Sequence, residues 1–133
     1  MQATEYSISV TSPRPFSEVM TAVKESLAAE GFGIVAEIDM QATMKNKIDV
    51  DIPAQTILGA CNPHAAKRAL EVEPSVGLLL PCNVVVREGD GVTIVEAINT
   101  QMIAQVTGNA ELDELSTDIG VRLQAALDRV AAA

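Results

Sequence analysis

The stretch LLLPCNVVVREGDGVTIVEAI, residues 78–98, contains the two strands that decide the fold. Leu78 to Arg87 and Val92 to Ile98 are rich in apolar and β-branched residues, which favour strands. Between them lies Glu88-Gly89-Asp90-Gly91, whose glycines tolerate the positive φ that tight turns require. The stretch therefore predicts a β-hairpin.

Three further strands are predicted from patterns before the hairpin. Tyr6 to Val10 and Gly33 to Met40 alternate apolar and polar residues with period two, as strands with one buried face do. Pro53 cannot donate a hydrogen bond to a neighbouring strand, so it marks the entry of a strand from Ala54 to about Ala60. With the hairpin, these runs predict a five-stranded, antiparallel-rich sheet.

Two long helices are predicted to cover one face of this sheet. The first follows a cap at Thr11-Ser12-Pro13 and stops at Gly31, and the last is capped by Asn109. A short helix follows the cap Asn62, and a helical turn is expected at 41–47. Residues 1–133 are therefore expected to form a single α+β domain with two layers, in the order strand, helix, four strands, helix.

Charge argues against two classes of partner. Nine basic and 18 acidic residues give a formal charge of −9, and the bases are scattered, so no positive stripe is available for nucleic acid. The longest uncharged apolar run, Val76 to Val86, is about half of the ~20 residues that a membrane helix needs. We therefore expect neither a nucleic-acid partner nor a membrane partner.

The start of the chain predicts a cytoplasmic protein. MQATEYSISV lacks the basic segment and apolar stretch of a secretory signal. Its two cysteines are therefore expected to be free thiols, because cytosolic reductants keep most such pairs reduced.

Enzymatic motifs are weak in this sequence. Gly31-x-Gly33 lacks a third glycine and leads into a strand, so it does not match a phosphate-binding loop. The single histidine, His64, lies next to a proline, and no serine elbow accompanies it. These patterns favour a protein that is not an enzyme and that carries no cofactor.

Cys61 and Cys82 allow three interpretations. The favoured one is that both thiols are packed and inert, as free cysteines commonly are. A second is a reactive thiol, since Cys61 precedes the helix capped by Asn62 and helix N-termini lower thiol pKa values. The least favoured is a metal site in which Cys61, His64 and Cys82 supply three soft ligands.

Glu37 and Asp39 lie two positions apart on a predicted strand, so their carboxylates point to one face. Lys47 could return toward them after the helical turn. Such a set can perform acid-base chemistry, but a solvated strand face with one surface ion pair is the favoured interpretation.

Three stretches of the chain form a recognisable set. They are Gly31-Phe32 leading through Glu37-Ile38-Asp39 to Lys47, the segment Ile57-Leu58-Gly59-Ala60-Cys61-Asn62-Pro63, and the segment from Gly77 to Val86 that contains Cys82-Asn83. Together they resemble the domain-of-unknown-function family 302. The resemblance implies a topology similar to the TATA-binding-protein class and a chain that often assembles as a dimer. It implies no activity.

The leading hypothesis is a non-catalytic, dimeric binding module for a small molecule that the sequence does not identify. Its candidate functional surface combines the turn Cys61-Asn62-Pro63, the pair Cys82-Asn83, the strand carrying Glu37 and Asp39, and Lys47. The alternative is a thiol-dependent redox or metal-handling protein that uses Cys61 and Cys82.

Overall fold

The computed structural model describes residues 2–132, whose strands form one six-stranded antiparallel sheet. The strands are β1 (Gln2–Ala3), β2 (Ser7–Ser12), β3 (Gly33–Asp39), β4 (Gln55–Cys61), β5 (Cys82–Glu88) and β6 (Thr93–Ile98). The helices are α1 (Phe16–Ala29), α2 (Met40–Ile48), α3 (Pro63–Val72), α4 (Gln101–Thr107) and α5 (Asp113–Ala132). Two 3-10 turns, Pro74–Leu79 and Ala110–Leu112, precede β5 and α5 respectively. The strand order is β1-β2-β6-β5-β4-β3.

The main core lies between the sheet and the helices α1 and α5. Alternate residues of the central strands, among them Leu58, Val84 and Val95, are fully buried on one face. The apolar stripes of α1 and α5 cover this face, with Leu27 and Leu123 fully buried. The α+β architecture with two long helices on one face is therefore confirmed.

The opposite face of the sheet carries the residues that alternate with this buried set. Ile38 of β3 pairs with Ile57 of β4, which pairs with Val85 of β5. Beside this apolar row, Arg87 and Glu96 form an ion pair across β5 and β6, with 2.8 Å between Nε and Oε1. We call these five residues the open face.

The strand predicted from Leu78 to Arg87 is wrong in its first part. Pro74–Leu79 forms a 3-10 turn, the Leu80–Pro81 peptide bond is cis, and β5 begins only at Cys82. Leu78 is 89% exposed, whereas a core strand would bury it. The physical reason is that Pro81 has no N–H to donate to a neighbouring strand, so the ladder starts after it.

Other boundaries also differ from the predictions. The structure adds the short strand β1 and the helix α4. Helix α1 has Pro15 at its N-cap position without a side-chain cap, because Ser12 is buried at the end of β2 and accepts a hydrogen bond from the Arg14 amide. Asn109 caps the 3-10 turn that leads into α5 rather than α5 itself.

Several local predictions are confirmed. Gly31 has a φ of +88° and follows the end of α1, as a left-handed helix stop does. The hairpin joins β5 and β6 through the predicted glycines, and a helix occupies the polar segment after β3. Within residues 2–132, no helix is both long enough and apolar enough to cross a bilayer.

Candidate functional site

The candidate site lies where β4 ends and β5 begins. Cys82 pairs with Ala60, so the last residue of β4, Cys61, lies beside the first residue of β5. The chain then turns into α3 at Asn62, whose Oδ1 accepts a hydrogen bond of 3.1 Å from the Ala65 amide. This cap starts α3 directly where β4 ends.

Small side chains on α3 leave space for a cavity beside this helix. Ala65, Ala66 and Ala69 line the cavity at positions where a core helix would normally carry Leu or Ile. The facing wall consists of Leu115 and Ile119 from α5. Helix α4 and both 3-10 turns close the sides. Because alanine side chains are short, these walls do not meet.

The result is a cavity of about 320 Å³. This volume lies at the lower end of the range of about 300–1,000 Å³ for small-molecule sites. Five of its 19 lining residues have polar or thiol side chains, and none of those described is charged: they are Cys61, Asn62, Cys82, Thr100 and Ser116. Leu70 also lines the cavity and is 43% exposed, so the cavity reaches the surface at α3.

One of these polar groups is already engaged. Thr100 Oγ1 donates a buried hydrogen bond of 2.6 Å to the carbonyl oxygen of Ser116. This bond ties α4 to α5 across the deep wall of the pocket. The hydroxyl of Thr100 therefore stabilises the walls and is not free to donate to a ligand.

The two cysteines have different surroundings. Cys82 is buried and Cys61 is half-buried, and both are free thiols. Burial, with a smaller contribution from nearby Cys61, raises the pKa of the Cys82 thiol to about 11. Cys82 therefore stays protonated at neutral pH, which makes it a poor nucleophile.

A three-ligand metal set is not present in the described chain. His64 lies exposed in the first turn of α3. Among residues 2–132, no three His, Cys, Asp or Glu side chains are grouped so that they could hold a metal ion. Cys61, His64 and Cys82 are therefore not brought together as the sequence alternative requires.

The two acidic candidate residues, Glu37 and Asp39, do not line the pocket. Glu37 forms an ion pair with Lys24 of α1, with 2.7 Å between Oε1 and Nζ, and both side chains are largely exposed. Asp39 caps α2 by accepting a hydrogen bond of 2.9 Å from the Ala42 amide. Lys47 lies exposed on α2, and in the described chain it forms no ion pair with either carboxylate.

The cysteine-asparagine pairs are only partly gathered. Cys61, Asn62 and Cys82 line the pocket, and Pro63 begins α3 beside it. Asn83 is exposed on β5 opposite Gly59 and does not line the pocket. The structure thus brings three of the eight candidate residues to one cavity.

The close approach of Pro81 explains why position 59 is a glycine. A Cβ on Gly59 would lie 2.7 Å from Cγ of Pro81 and 3.2 Å from Cβ of Ala36. Glycine at this position therefore lets the segment that enters β5 pack directly on β4. That contact holds Pro81 and Leu80 in the pocket wall.

Two donor groups converge beside the pocket at Gly31. A Cβ on Gly31 would lie 3.3 Å from Nδ2 of Asn62 and 3.5 Å from Nη1 of Arg122. Arg122 lies one helical turn after the lining residue Ile119 on α5. A guanidinium and an amide N–H₂ are thus adjacent at the edge of an apolar cavity.

Sequence reasoning missed most of the pocket. Thr100, Ser116, Arg122 and the walls on α4 and α5 come together only through tertiary packing. One available signal was the group Ala65, Ala66 and Ala69 on a helix capped beside a cysteine. Small residues at core-facing positions of a short helix indicate either a close helix contact or a cavity.

Comparisons with known proteins agree on one family. The family model described as "Domain of unknown function DUF302" matches residues 8–130. The chain is also similar to a solved structure titled as that of an uncharacterized conserved DUF302 protein from Bacillus stearothermophilus. That similarity has a TM-score of 0.87 and 31% identity, over 92% of this chain and 96% of the other. No curated protein matches the chain.

Proposed function

Because the chain belongs to the DUF302 family, whose description assigns no function, we propose one from its own site: a non-catalytic binding module for a small apolar molecule. The cavity between β4, α3 and α5 would hold this molecule. The carrying observation is a cavity of about 320 Å³ whose described lining has no charged side chain. Ligand sites combine mainly apolar walls with a few placed polar groups, as this cavity does.

The described lining holds few groups suited to catalysis, which supports a binding role. Acid-base or nucleophilic chemistry needs a group whose pKa suits proton transfer or attack near neutral pH. The pKa of the Cys82 thiol is raised to about 11, which is the wrong direction for a nucleophile. The hydroxyl of Thr100 is engaged by the Ser116 carbonyl. The described lining therefore offers contact surface and little chemistry.

The alternative function is a thiol-dependent redox or metal-handling protein that uses Cys61 and Cys82. The half-buried Cys61 at the pocket is the one observation that favours it. Titration of alkylation rate against pH, followed by intact-mass measurement, tests this alternative. Rapid modification of both thiols at neutral pH would favour it over a binding module, and metal retained by untagged protein would do the same.

Dye binding tests the proposed pocket. A neutral solvatochromic dye such as Nile red should become fluorescent on binding. Ala66→Phe places a large ring in the cavity from α3 and should abolish the signal. Ala28→Phe is the matched control, because Ala28 is exposed on α1 and does not line the cavity. Equal binding by the two variants would contradict the proposal.

We also propose that the module is a cytoplasmic homodimer. The open face offers Ile38, Ile57 and Val85 as an apolar row, and Arg87 and Glu96 beside it can pair with their equivalents across a two-fold axis. A stable dimer should bury at least ~1,000 Å² in total. A topology similar to the TATA-binding-protein class remains an expectation from the family resemblance. It brings no nucleic-acid role, because the net charge of −9 repels polyanions.

A further inference from the structure

The edge of the cavity carries a charged hydrogen-bond donor, Arg122, of a kind that the described lining lacks. We infer, on the premise that the pocket binds a ligand as proposed above, that this ligand is a single-chain amphiphile with a carboxylate head. Its chain would occupy the apolar cavity. Its carboxylate would accept hydrogen bonds from Nδ2 of Asn62 and from the guanidinium of Arg122.

The orientation of the Asn62 amide follows from its capping role. Its Oδ1 accepts from the Ala65 amide, so the other end of the amide must be the donor Nδ2. That Nδ2 lies 3.3 Å from where a Gly31 Cβ would be, and among the described residues it donates no hydrogen bond. Asn62 thus presents a fixed, unused N–H₂ beside the cavity.

Arg122 supplies the charge. Its Nη1 lies 3.5 Å from the same point beside Gly31, so both donors reach one small volume. Its Nε lies 3.6 Å from Oδ2 of Asp118, and both side chains are about half exposed, so this pair is weak. A guanidinium binds a carboxylate through two parallel N–H groups, which makes it suited to this head group.

Glycine at position 31 keeps the space between Asn62 Nδ2 and Arg122 Nη1 open for the carboxylate. A side chain there would come within 3.3 Å of Asn62 Nδ2 and would fill the space between the two donors. The first turn of α3 adds the positive end of a helix dipole near the same place, although the Ala65 and Ala66 amides are already bonded to Asn62. Three sources of positive potential therefore meet beside an uncharged cavity.

The uncharged cavity requires that any charge of the ligand stays at its edge. Ile119 lines the cavity and Arg122 follows one turn later on α5, so the cavity for the chain and the guanidinium for the carboxylate are adjacent. Burying a carboxylate among the apolar walls would be strongly unfavourable, because no charge partner lines them. The net charge of −9 opposes anion binding at long range, but salt screens it beyond about 8 Å.

Competition with bound Nile red tests the head group by comparing decanoate with methyl decanoate, both below their aggregation concentrations at pH 8. The two ligands share a chain and differ in charge. Decanoate should bind more tightly than the ester. Arg122→Gln should weaken decanoate binding about fivefold or more and leave the ester within about twofold, since one charge-assisted hydrogen bond is lost.

Two variants complete this test. Asn62→Asp keeps an acceptor that can cap α3 but replaces the donor with a negative oxygen, so it should weaken decanoate binding at least as much. Arg68→Gln makes the same charge change at an exposed position of α3 outside the cavity lining and should have little effect.

The outcomes separate this inference from the proposed function. If the dye binds but decanoate and methyl decanoate compete equally, and Arg122→Gln changes neither, the head-group inference is overturned and the apolar pocket stands. If neither the dye nor decanoate binds the wild-type protein, the pocket proposal fails, and the inference fails with it. Selective loss of decanoate binding in Arg122→Gln and Asn62→Asp supports the inference.

Discussion

Cys61 lies one residue beyond the register partner of Cys82, because Cys82 pairs with Ala60 across β4 and β5. Successive residues of a strand point to opposite faces, so the two thiols start from opposite sides of the sheet. Cys82 accordingly lies on the buried side with Val84 and Val86, while Cys61 is only half-buried at the pocket. The two cysteines are neighbours in the chain's fold but have different environments.

This difference predicts unequal effects on stability. Cys82→Ala removes a buried sulfur from the core and should lower the free energy of unfolding by about 1–2 kcal/mol. Cys61→Ser should cost less, because Cys61 is partly solvated. Urea unfolding of both variants and the wild type measures this. No loss for Cys82→Ala, together with rapid alkylation of the wild-type thiol, would contradict burial.

The same thiol predicts a loss of stability at alkaline pH. In the unfolded chain a cysteine has a pKa of about 8.5, whereas in the folded protein Cys82 has a pKa of about 11. Between these values the unfolded chain has lost the proton that the folded protein keeps, so the free energy of unfolding falls as pH rises. The loss is complete only when the folded thiol has also ionised, above pH 11, and amounts to at most about 3 kcal/mol.

Cys82→Ala is the control for this titration. Lysine and tyrosine side chains titrate in the same range, but they do so in both proteins. The stability advantage of the wild type over Cys82→Ala should therefore fall as pH rises from about 9 to about 11, and a loss near the maximum would reverse its sign. A difference that stays constant over this range would show that burial does not raise the pKa of Cys82.

The close packing of Pro81 on Gly59 predicts that a side chain at position 59 lowers stability. Gly59→Ala would place a Cβ 2.7 Å from Cγ of Pro81, so the ring or the strand must move, at a cost of about 1–3 kcal/mol. Gly77→Ala is the matched control, because nothing described lies within 4 Å of its Cβ position and its φ is not positive. Thermal or urea unfolding should separate the two variants clearly. Equal stability would mean that Pro81 moves without cost.

Much of the fold was predictable because it depends on local rules. Gly31 with its positive φ and Asn62 as a helix cap are single-residue signals, and the hairpin follows from its turn glycines. The predicted strand fails at Leu78 to Leu80 because Pro81 has no N–H for strand pairing, whatever the apolar character of the run. Helix α4 has one local signal in the sequence, Gly108, which has a φ of +66° just after the helix.

The site was much less predictable because it depends on tertiary packing. Cys61, Asn62 and Cys82 were identified as candidates, and all three line the cavity. Arg122 and Thr100 were not, since they are separated from Asn62 by 60 and 38 positions and carry no motif of their own. A cavity is an absence of side-chain volume, and its shape depends on how α3, α4 and α5 pack rather than on any one segment.

The cap at Asn62 predicts a separation between folding and binding. Asn62→Ala removes the acceptor for the Ala65 amide and should lower the free energy of unfolding by about 1 kcal/mol. Asn62→Asp keeps the cap and should stay close to the wild type in stability. Chemical unfolding of the two variants measures the difference. If both were equally destabilised, the Nδ2 group would have a structural role that the hydrogen bond to Ala65 does not explain.

The open face predicts that the chain forms a homodimer in solution. Ile38 is 46% exposed, and Ile57 and Val85 beside it are half-buried, so a second copy would cover the rest of this apolar row, as closed two-fold dimers commonly do. Light scattering behind a sizing column should give twice the chain mass of 14.0 kDa at micromolar concentration in ordinary salt. The −9 charge opposes association, but screening limits its reach to about 8 Å.

A matched pair of variants tests which surface mediates the dimer. Val85→Arg places a charge at the centre of the open face and should give a monomer, because burying it in the interface without a partner is costly. Val121→Arg adds the same charge at a 64% exposed position of α5 and should remain dimeric. A wild-type mass near that of one chain would overturn the dimer. Dissociation by Val121→Arg and not by Val85→Arg would move the interface to the helical layer.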